Sequence, residues 1–113
     1  LLKLCQGRSP LIGACCDTGH WIRSELPVVE TLARFQGRVL TFDLKDIGED
    51  GSCVPFGTGK GNTRALLGEL RRQGFRGVLG IEYGQRRPNA EQEIAQCVAF
   101  IEQVSRDLAG PGA

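Results

Sequence analysis

The sequence predicts an α/β fold built on a parallel sheet, and two observations support this prediction. Short apolar runs typical of buried strands recur at three places, which are residues 11–16, 39–42 and 78–81. Segments with apolar positions on one helical face lie between and after these runs, at residues 27–35, 63–73 and 89–108. Continuous apolar strands that alternate with amphipathic helices are typical of a parallel sheet covered by helices. The length of 113 residues fits one domain.

The first half of the chain contains a helix remnant, a strand and a helix. Residues 1–5 match the last turn of a helix that Gly7 closes. The apolar run at residues 11–16 is short enough for a buried strand. The segment at residues 27–35 begins with a proline, which suits a first turn. Its apolar positions share one helical face and are Val28, Leu32 and Phe35.

The second half repeats the alternation. Residues 39–42 are β-branched and aromatic, as strands often are. A turn-rich stretch with five glycines follows at residues 48–61, and within it we expect residues 56–61 to form a flexible loop over the mouth of a site. Asn62 is the expected N-cap of a helix at residues 63–73. Residues 78–81 are the third expected strand. In the helix at residues 63–73, the positions expected to face inward are Leu66, Leu67 and Leu70.

The last predicted helix begins after Asn89. Gln92 follows three residues later, which is the spacing of a capping box. The stripe expected to face the core contains Ile94, Val98, Ile101 and Leu108. We expect residues 109–113 to form a frayed tail.

Composition argues against several classes of protein. Fourteen Lys and Arg residues and thirteen Asp and Glu residues give a net charge of +1. This balance argues against a broad surface for nucleic acid or for an anionic membrane. No apolar run is long enough to span a bilayer. The five cysteines, an odd number without a C-x-x-C spacing, indicate free thiols in a reducing cytoplasm. The chain has no methionine, so we expect translation to begin upstream of Leu1.

An acidic residue follows each predicted strand, and these residues are Asp17, Asp43 and Glu82. Ligand sites in parallel α/β folds lie at the carboxyl ends of the strands, so the three carboxylates would converge there. Carboxylates that lie close together repel one another unless a cation neutralises them. Oxygen ligands suit magnesium or manganese, and an added imidazole favours zinc or cobalt. The alternative is that these acids cap the following helices or face water.

His20 and Trp21 follow the first of these acids along the chain. His20 is the only histidine, and a loop after Asp17 would let it reach a metal or a substrate oxygen. A lone histidine is also a common surface or core residue. Trp21, the only tryptophan, would either line the apolar side of a pocket or pack over a helix start. The candidates for contact with a phosphate, unless they are simply solvated, are Arg23, Lys45 and Lys60.

The glycine-rich segment at residues 56–61, Phe-Gly-Thr-Gly-Lys-Gly, precedes a predicted helix. Segments of this kind can cradle a phosphate with backbone N–H groups. The segment departs from the spacing G-x-x-x-x-G-K-[ST] and does not directly follow a strand. As a nucleotide-binding motif it is therefore weak.

Four segments, taken in order, carry a family resemblance: residues 12–21 (IGACCDTGHW), 42–46 (FDLKD), 54–59 (VPFGTG) and 77–83 (GVLGIEY). They resemble strands six to eight, with their loops, of the xylose isomerase-like TIM-barrel superfamily, which includes sugar phosphate isomerases and epimerases. The resemblance implies a partial (β/α)8 barrel over residues 1–113, with about three parallel βα units and a leading helix remnant.

The resemblance also implies roles for single residues. Asp17 and Glu82 match metal ligands of the family, and Asp43 would be a third ligand of Mn, Mg, Co or Zn. Glu82 also matches an acid/base group that moves a proton on the carbon next to a carbonyl, while the metal stabilises the enediolate. His20 matches a histidine that contacts substrate oxygens and takes part in catalysis. The implied partner is a small-molecule carbohydrate, contacted by His20, Trp21 and Lys45.

Two departures from the family pattern affect what the chain can do. Asp43 stands where the family has a metal-binding histidine. A carboxylate can still bind a metal, but it adds negative charge. The substitution can also mark a site that has lost its catalytic activity. A whole barrel needs about 250 residues, and 113 residues supply three of eight units. We therefore expect the C-terminal part of a larger domain, inactive by itself, whose open sheet edges allow self-association.

The leading expectation is a metal-dependent sugar or sugar-phosphate isomerase or epimerase of the cytoplasm, and three alternatives stay open. Asp43 is compatible with a non-catalytic barrel that binds a sugar or serves as a scaffold. Endonuclease IV-type repair enzymes share the fold, but their zinc sites need many histidines and this chain has one. A small three-stranded binding module that folds by itself would need no relation to the family.

Overall fold

Three parallel strands, arranged in chain order, form the sheet of the computed structural model, which describes residues 1–84 and 87–111. The strands are β1 (Ala14–Asp17), β2 (Val39–Leu44) and β3 (Val78–Ile81). The helices are α1 (Leu2–Cys5), α2 (Thr18–Arg23), α3 (Val28–Arg34), α4 (Thr63–Arg72) and α5 (Ala90–Ala109). The predicted α/β class with a parallel sheet is confirmed. None of the helices within the described ranges is long and apolar enough to cross a membrane.

The register of the sheet aligns the carboxyl ends of the strands. Asp17 pairs with Asp43, and Asp43 pairs with Gly80. The row of residues one position earlier contains Cys16, Phe42 and Leu79. Since side chains alternate along a strand, the two rows point to opposite faces of the sheet. The two aspartates therefore lie on one face and the apolar row on the other.

The helices cover the apolar face of the sheet, and the core lies between them. Phe42 at the centre of β2 is fully buried, together with Leu32 of α3 and Leu66 of α4. Trp21 of α2 stacks on Phe35, with ring centroids 5.9 Å apart, and meets Phe42 edge-on at 6.0 Å. Aromatic pairs in these arrangements add to the free energy gained by burial.

The other face of the sheet is exposed in the described part of the chain. The row Cys15, Thr41 and Val78 lies on it, and Val78 is 72% exposed. In a barrel, one face of the sheet carries helices and the other encloses a packed interior. The exposed row is therefore the part of the sheet that corresponds to a barrel interior.

β1 is shorter than the apolar run from which it was predicted. The run at residues 11–16 becomes a strand only at Ala14, and Leu11 is exposed in a turn. The guanidinium of Arg38 donates a hydrogen bond of 3.1 Å to the carbonyl of Ile12. Because a side chain uses this carbonyl, the segment before Ala14 is held in place without sheet pairing.

Two helix N-termini differ from the prediction in their capping. Asn62 and Asn89 occupy the N-cap positions of α4 and α5, but among the described residues neither side chain makes a capping hydrogen bond. Asn62 has a left-handed backbone with φ of 45°, which asparagine tolerates better than most residues. The predicted capping box between Asn89 and Gln92 is therefore wrong.

The inner stripe of α5 is rotated relative to the predicted one. Cys97 and Val104 are buried, whereas Ile94 and Val98 are exposed, so those two positions were predicted wrongly. The other two predicted positions are partly buried and belong to both stripes. The prediction overlooked that a free cysteine packs as a small hydrophobic side chain. The helix extends to Ala109, and the last two residues of the predicted tail lie outside the described residues.

A hydrogen-bond network around Glu69 joins α3 to α4. Arg72 donates to both carboxylate oxygens, at 2.6 and 2.7 Å, and Gln73 donates at 2.8 Å. The Gln73 amide also donates to the carbonyl of Leu32, at 3.1 Å, and Arg72 reaches the Gln36 side chain at 3.0 Å. The hydrogen bonds from Arg72 and then Gln73 lower the pKa of Glu69 to about 2, against the opposing effect of burial.

Glu69→Gln is expected to lower the free energy of unfolding at neutral pH and to flatten its pH dependence. Because the pKa is depressed in the folded state, the carboxylate stabilises the fold fully above its usual pKa of 4.5 and loses this contribution as the pH falls towards about 2. Urea denaturation of both proteins between about pH 7 and pH 3 measures the difference, which should shrink in acid.

Glu102→Gln, an exposed position on α5, is the matched control and should leave the pH profile unchanged. A stability difference between Glu69→Gln and the original protein that stays constant across this pH range would show that the charge of Glu69 does not stabilise the network.

Candidate functional site

A buried ammonium group bridges two carboxylates at the carboxyl edge of the sheet. Lys45 Nζ lies 2.9 Å from Asp17 Oδ2 and 2.9 Å from Glu82 Oε1. The side chain of Lys45 is 9% exposed, that of Asp17 is 17% exposed and that of Glu82 is 50% exposed. We call these three residues the ion-pair cluster. One of its carboxylates is enclosed, and the other faces solvent.

The ends of the three strands hold the cluster in place. Asp17 ends β1, Lys45 directly follows β2 and Glu82 directly follows β3. Pairing continues past β3, since the N–H of Glu82 donates to the carbonyl of Leu44 at 3.1 Å. The buried Thr18 hydroxyl accepts a hydrogen bond from the N–H of Lys45 and donates one to its carbonyl, both at 2.7 Å. The main chain of Lys45 is thereby fixed to the start of α2.

Asp17 has a second role as the N-cap of α2. Its Oδ1 accepts a hydrogen bond of 2.8 Å from the N–H of Gly19, which leaves Oδ2 for Lys45. His20 Nε2 lies 3.5 Å from the same Oδ2, and its side chain is 80% exposed. The sequence prediction placed His20 in a loop and missed this helix. An aspartate at the start of a short helix is the signal that could have revealed it.

The ion pairs determine the charges of the cluster. Burial acts to raise the pKa of Asp17, but the hydrogen bonds from Lys45 and Gly19 and the charge of Lys45 outweigh it and lower this pKa. Burial acts to lower the pKa of Lys45, but the hydrogen bonds and charges of Glu82 and Asp17 outweigh it and raise that pKa. Asp17 and Lys45 are therefore both charged at neutral pH.

Asp43, the third acid of the predicted site, has different partners. The thiol of Cys15 donates to Asp43 Oδ2 at 3.5 Å. A Cβ added to Gly80 would lie 2.8 Å from Asp43 Oδ1, so this carboxylate lies over a glycine of the neighbouring strand. Within the described ranges, no three His, Cys, Asp or Glu side chains are grouped so that they could hold a metal ion. The donor set of this chain therefore does not by itself fit the divalent ion that the resemblance implies.

Two of the predicted substrate contacts have other neighbours in the structure. Trp21 packs on Phe35 and Phe42, on the helix-covered face of the sheet, which favours its packing role over contact with a substrate. Lys45 is buried between two carboxylates, so the alternative that it is a solvated surface residue is wrong.

The glycine-rich segment wraps around the carboxylate of Asp46, a residue only 1% exposed. Four N–H groups and a hydroxyl donate to this carboxylate at 2.8 to 3.2 Å, from Ile47, Gly57, Gly59, Gly61 and Thr63. The N–H groups that resemble a phosphate cradle are thus occupied by an anion of the protein itself. Three of these hydrogen bonds, from Gly57, Gly59 and Gly61, fasten the segment, in place of the flexible loop that we expected.

α5 contacts both the loop and the end of β3. Gly57 has φ of +86°, and the ring of Phe100 packs against it so closely that a Cβ would overlap the ring. The hydroxyl of Tyr83 donates to Glu93 Oε2 at 2.6 Å. Burial, followed by Glu93, raises the pKa of Tyr83 well above its usual range. The residue after Glu82 is therefore neutral and held by α5.

The comparison with protein families decides where this chain belongs. A family model described as "Xylose isomerase-like TIM barrel" matches residues 1–104 of the 113. The chain belongs to this family. The sequence resemblance is thereby confirmed, and the three-stranded sheet is part of a xylose isomerase-like barrel.

Two solved structures show what the chain is similar to. A D-tagatose 3-epimerase-like protein is 21% identical with a TM-score of 0.71, and the match covers 95% of this chain and 41% of that chain. An uncharacterised protein of Parabacteroides distasonis is 37% identical with a TM-score of 0.57, and the match covers 89% of this chain and 42% of that one. The chain thus spans about two fifths of the length of each. A search of curated proteins found no significant match.

The xylose isomerase-like pattern led to both carboxylates that the structure brings to one cation, Asp17 and Glu82. Sequence reasoning missed the partners of Lys45 and Asp46, although both are buried. A signal for them was present, because two opposite charges that directly follow a buried strand would point to opposite faces of the sheet. Hydropathy patterns treat such charges as solvated and cannot identify their partners.

Asp46→Asn is expected to destabilise the protein by about 3 kcal/mol. The buried N–H donors would lose their charged acceptor, and some of them would face the NH2 group of the amide, which cannot accept a hydrogen bond. Urea denaturation measures the loss, and faster proteolysis between residues 54 and 61 would locate it in the loop.

Asp50→Asn is the matched control in the turn of the same connection. Its carboxylate is exposed and accepts hydrogen bonds from Ser52 at the surface, so little change is expected. Equal effects of the two substitutions would show that Asp46 does not organise the loop.

Proposed function

We propose that the chain is part of a sugar or sugar-phosphate isomerase or epimerase, which moves a proton on the carbon next to a carbonyl. The observation that carries this proposal is the half-exposed carboxylate of Glu82, 2.9 Å from a buried ammonium at the carboxyl edge of the sheet. Sites in barrels of this architecture lie at that edge. Membership of the xylose isomerase-like family supports the same reaction class.

Glu82 is the proposed acid/base group. Its carboxylate is half-exposed and can accept a proton from a carbon acid, while the ammonium of Lys45 lies 2.9 Å from one of its oxygens. A positive charge near the reacting carbonyl would stabilise the enediolate oxygen that forms when the proton leaves. The exposed imidazole of His20, close to Asp17, is placed to exchange hydrogen bonds with a sugar hydroxyl.

The proposed proton transfer does not require a divalent ion. The family resemblance implies Mn, Mg, Co or Zn, with Asp17, Asp43 and Glu82 as ligands. In this chain, a metal held by Asp17 and Glu82 would need to displace the ammonium of Lys45 and recruit further donors. We therefore derive the proton transfer from the residues of the chain alone.

The extent of the domain is also part of the proposal. The chain spans 41% and 42% of the two solved structures that it matches, so the catalytic unit would include further strands. These strands would cover the exposed row at Val78 and pair with the outer edges of β1 and β3, and without them self-association through these edges is expected. We propose that the chain alone is inactive, and that the free thiols suit a reducing cytoplasm.

A sugar-binding barrel without turnover is the second candidate. It is favoured by the charge balance of the site, since the ammonium of Lys45 already neutralises a carboxylate that the proposed reaction would use. In this case a ketose would bind without exchange of its carbon-bound proton.

Glu82→Gln in the full-length protein is expected to reduce proton exchange at least about 100-fold, since the amide cannot accept the proton. Incorporation of deuterium from D2O next to the carbonyl, followed by NMR with a panel of ketoses and ketose phosphates, measures this step directly.

Glu102→Gln is the control and should exchange at the original rate. Unchanged exchange in Glu82→Gln would remove Glu82 from the mechanism. Binding of a ketose by the original protein without any exchange would favour the sugar-binding barrel.

A further inference from the structure

We propose that the ammonium of Lys45 is the resident cation of this site. It occupies the position between Asp17 and Glu82, so the site binds divalent ions weakly. Lys45 Nζ is equidistant, at 2.9 Å, from one oxygen of Asp17 and one oxygen of Glu82. This is the position in which a cation shared by two strand-end carboxylates would lie. The inference holds for a catalytic site and for a sugar-binding site alike.

The side chain of Lys45 is locked into this position along its whole length. Its main chain is held on both sides by the Thr18 hydroxyl, at 2.7 Å. Its stem passes over Gly19 so closely that a Cβ at Gly19 would lie 2.5 Å from Lys45 Cδ. The absence of a side chain at Gly19 therefore creates the channel through which the lysine reaches the carboxylates.

The remaining acid of the site is directed elsewhere, which weakens the case for a metal in this position. Asp43 Oδ2 accepts from the Cys15 thiol, and Oδ1 lies against Gly80. His20 is near Asp17 but is 80% exposed, so it does not close the cluster. Asp17 and Glu82 are thus the donors that face the shared position, and an ammonium satisfies both with direct hydrogen bonds.

The same geometry explains how a buried lysine stays charged. An isolated ammonium in a buried site would lose its proton or destabilise the fold. Lys45 instead contacts a carboxylate on each side, and a divalent ion bound to the same two oxygens would have to displace it. Such an exchange gives up two ion pairs.

Titration of the full-length protein with Mn²⁺, followed by the EPR signal of the free aqua ion, tests this proposal at neutral pH and low ionic strength. We expect the original protein to bind weakly, with a Kd of about 1 mM. Lys45→Met should tighten binding about tenfold or more, since two carboxylates then lack a counter-charge. The further change Asp17→Asn in the Lys45→Met protein should abolish that gain.

Two controls make the outcome specific. Lys60→Met removes an exposed lysine whose partner is Glu49 and should leave binding unchanged. Lys45→Arg retains the positive charge and should keep Mn²⁺ binding weak. If Lys45→Met does not fold, the Kd values of Lys45→Arg and of the original protein test the proposal.

A Kd of about 10 µM or tighter for one Mn²⁺ in the original protein would overturn the proposal. Equal affinities in Lys45→Met and Lys60→Met would overturn it as well. A failure of the proposed isomerase function is a separate result, because it would appear in the deuterium exchange and leave the Mn²⁺ titration unaffected.

Discussion

The backbone step from Lys45 to Asp46 is the constraint on which the site depends. Both residues follow β2 and both are buried, but their side chains bind different parts of the structure. Lys45 joins the ends of β1 and β3 through Asp17 and Glu82. Asp46 gathers the N–H groups of the glycine-rich connection into one hydrogen-bonded turn. Two adjacent charges thus organise the ion-pair cluster and the loop beside it.

Burial of these charges is favourable only because each is almost fully partnered. A buried charge without a partner in either position would strongly destabilise the fold. Removing the partner of Lys45 or Asp46 would leave such a charge behind. Thr18 adds to this, since its hydroxyl satisfies both backbone groups of Lys45. The position of the cluster is therefore tied to the folding of β2 and α2 rather than to a mobile side chain.

Elements with a clear hydropathy pattern could be predicted from the sequence. β3 matches its predicted bounds, α4 ends one residue early, and α3 is one residue shorter at each end. The failures have identifiable physical causes. The apolar run before Ala14 is held by a guanidinium instead of a neighbouring strand, and α5 uses a cysteine in its core stripe. Neither effect is visible in a count of apolar positions.

The site was predictable to the extent that it depends on strand ends. Asp17 and Glu82 were found because parallel strands end at one edge, and the structure brings both to a common cation. The identity of that cation could not be predicted, because it depends on the space above Gly19 and on the hydroxyl of Thr18. Pairing of this kind is a property of three-dimensional contacts between residues that are distant in the chain.

The two carboxylates of the ion-pair cluster are unequally exposed, so one holds Lys45 in place and the other can be released from it. The bond between Lys45 and Asp17 is enclosed, whereas the bond to Glu82 is half open to water. Water screens the solvent-facing bond, which makes it the weaker of the two. Glu82 can therefore rotate away from the ammonium towards an incoming molecule, while Asp17 remains as the counter-charge that keeps Lys45 in place. The lysine then presents an unpaired N–H donor to the space that the glutamate has vacated.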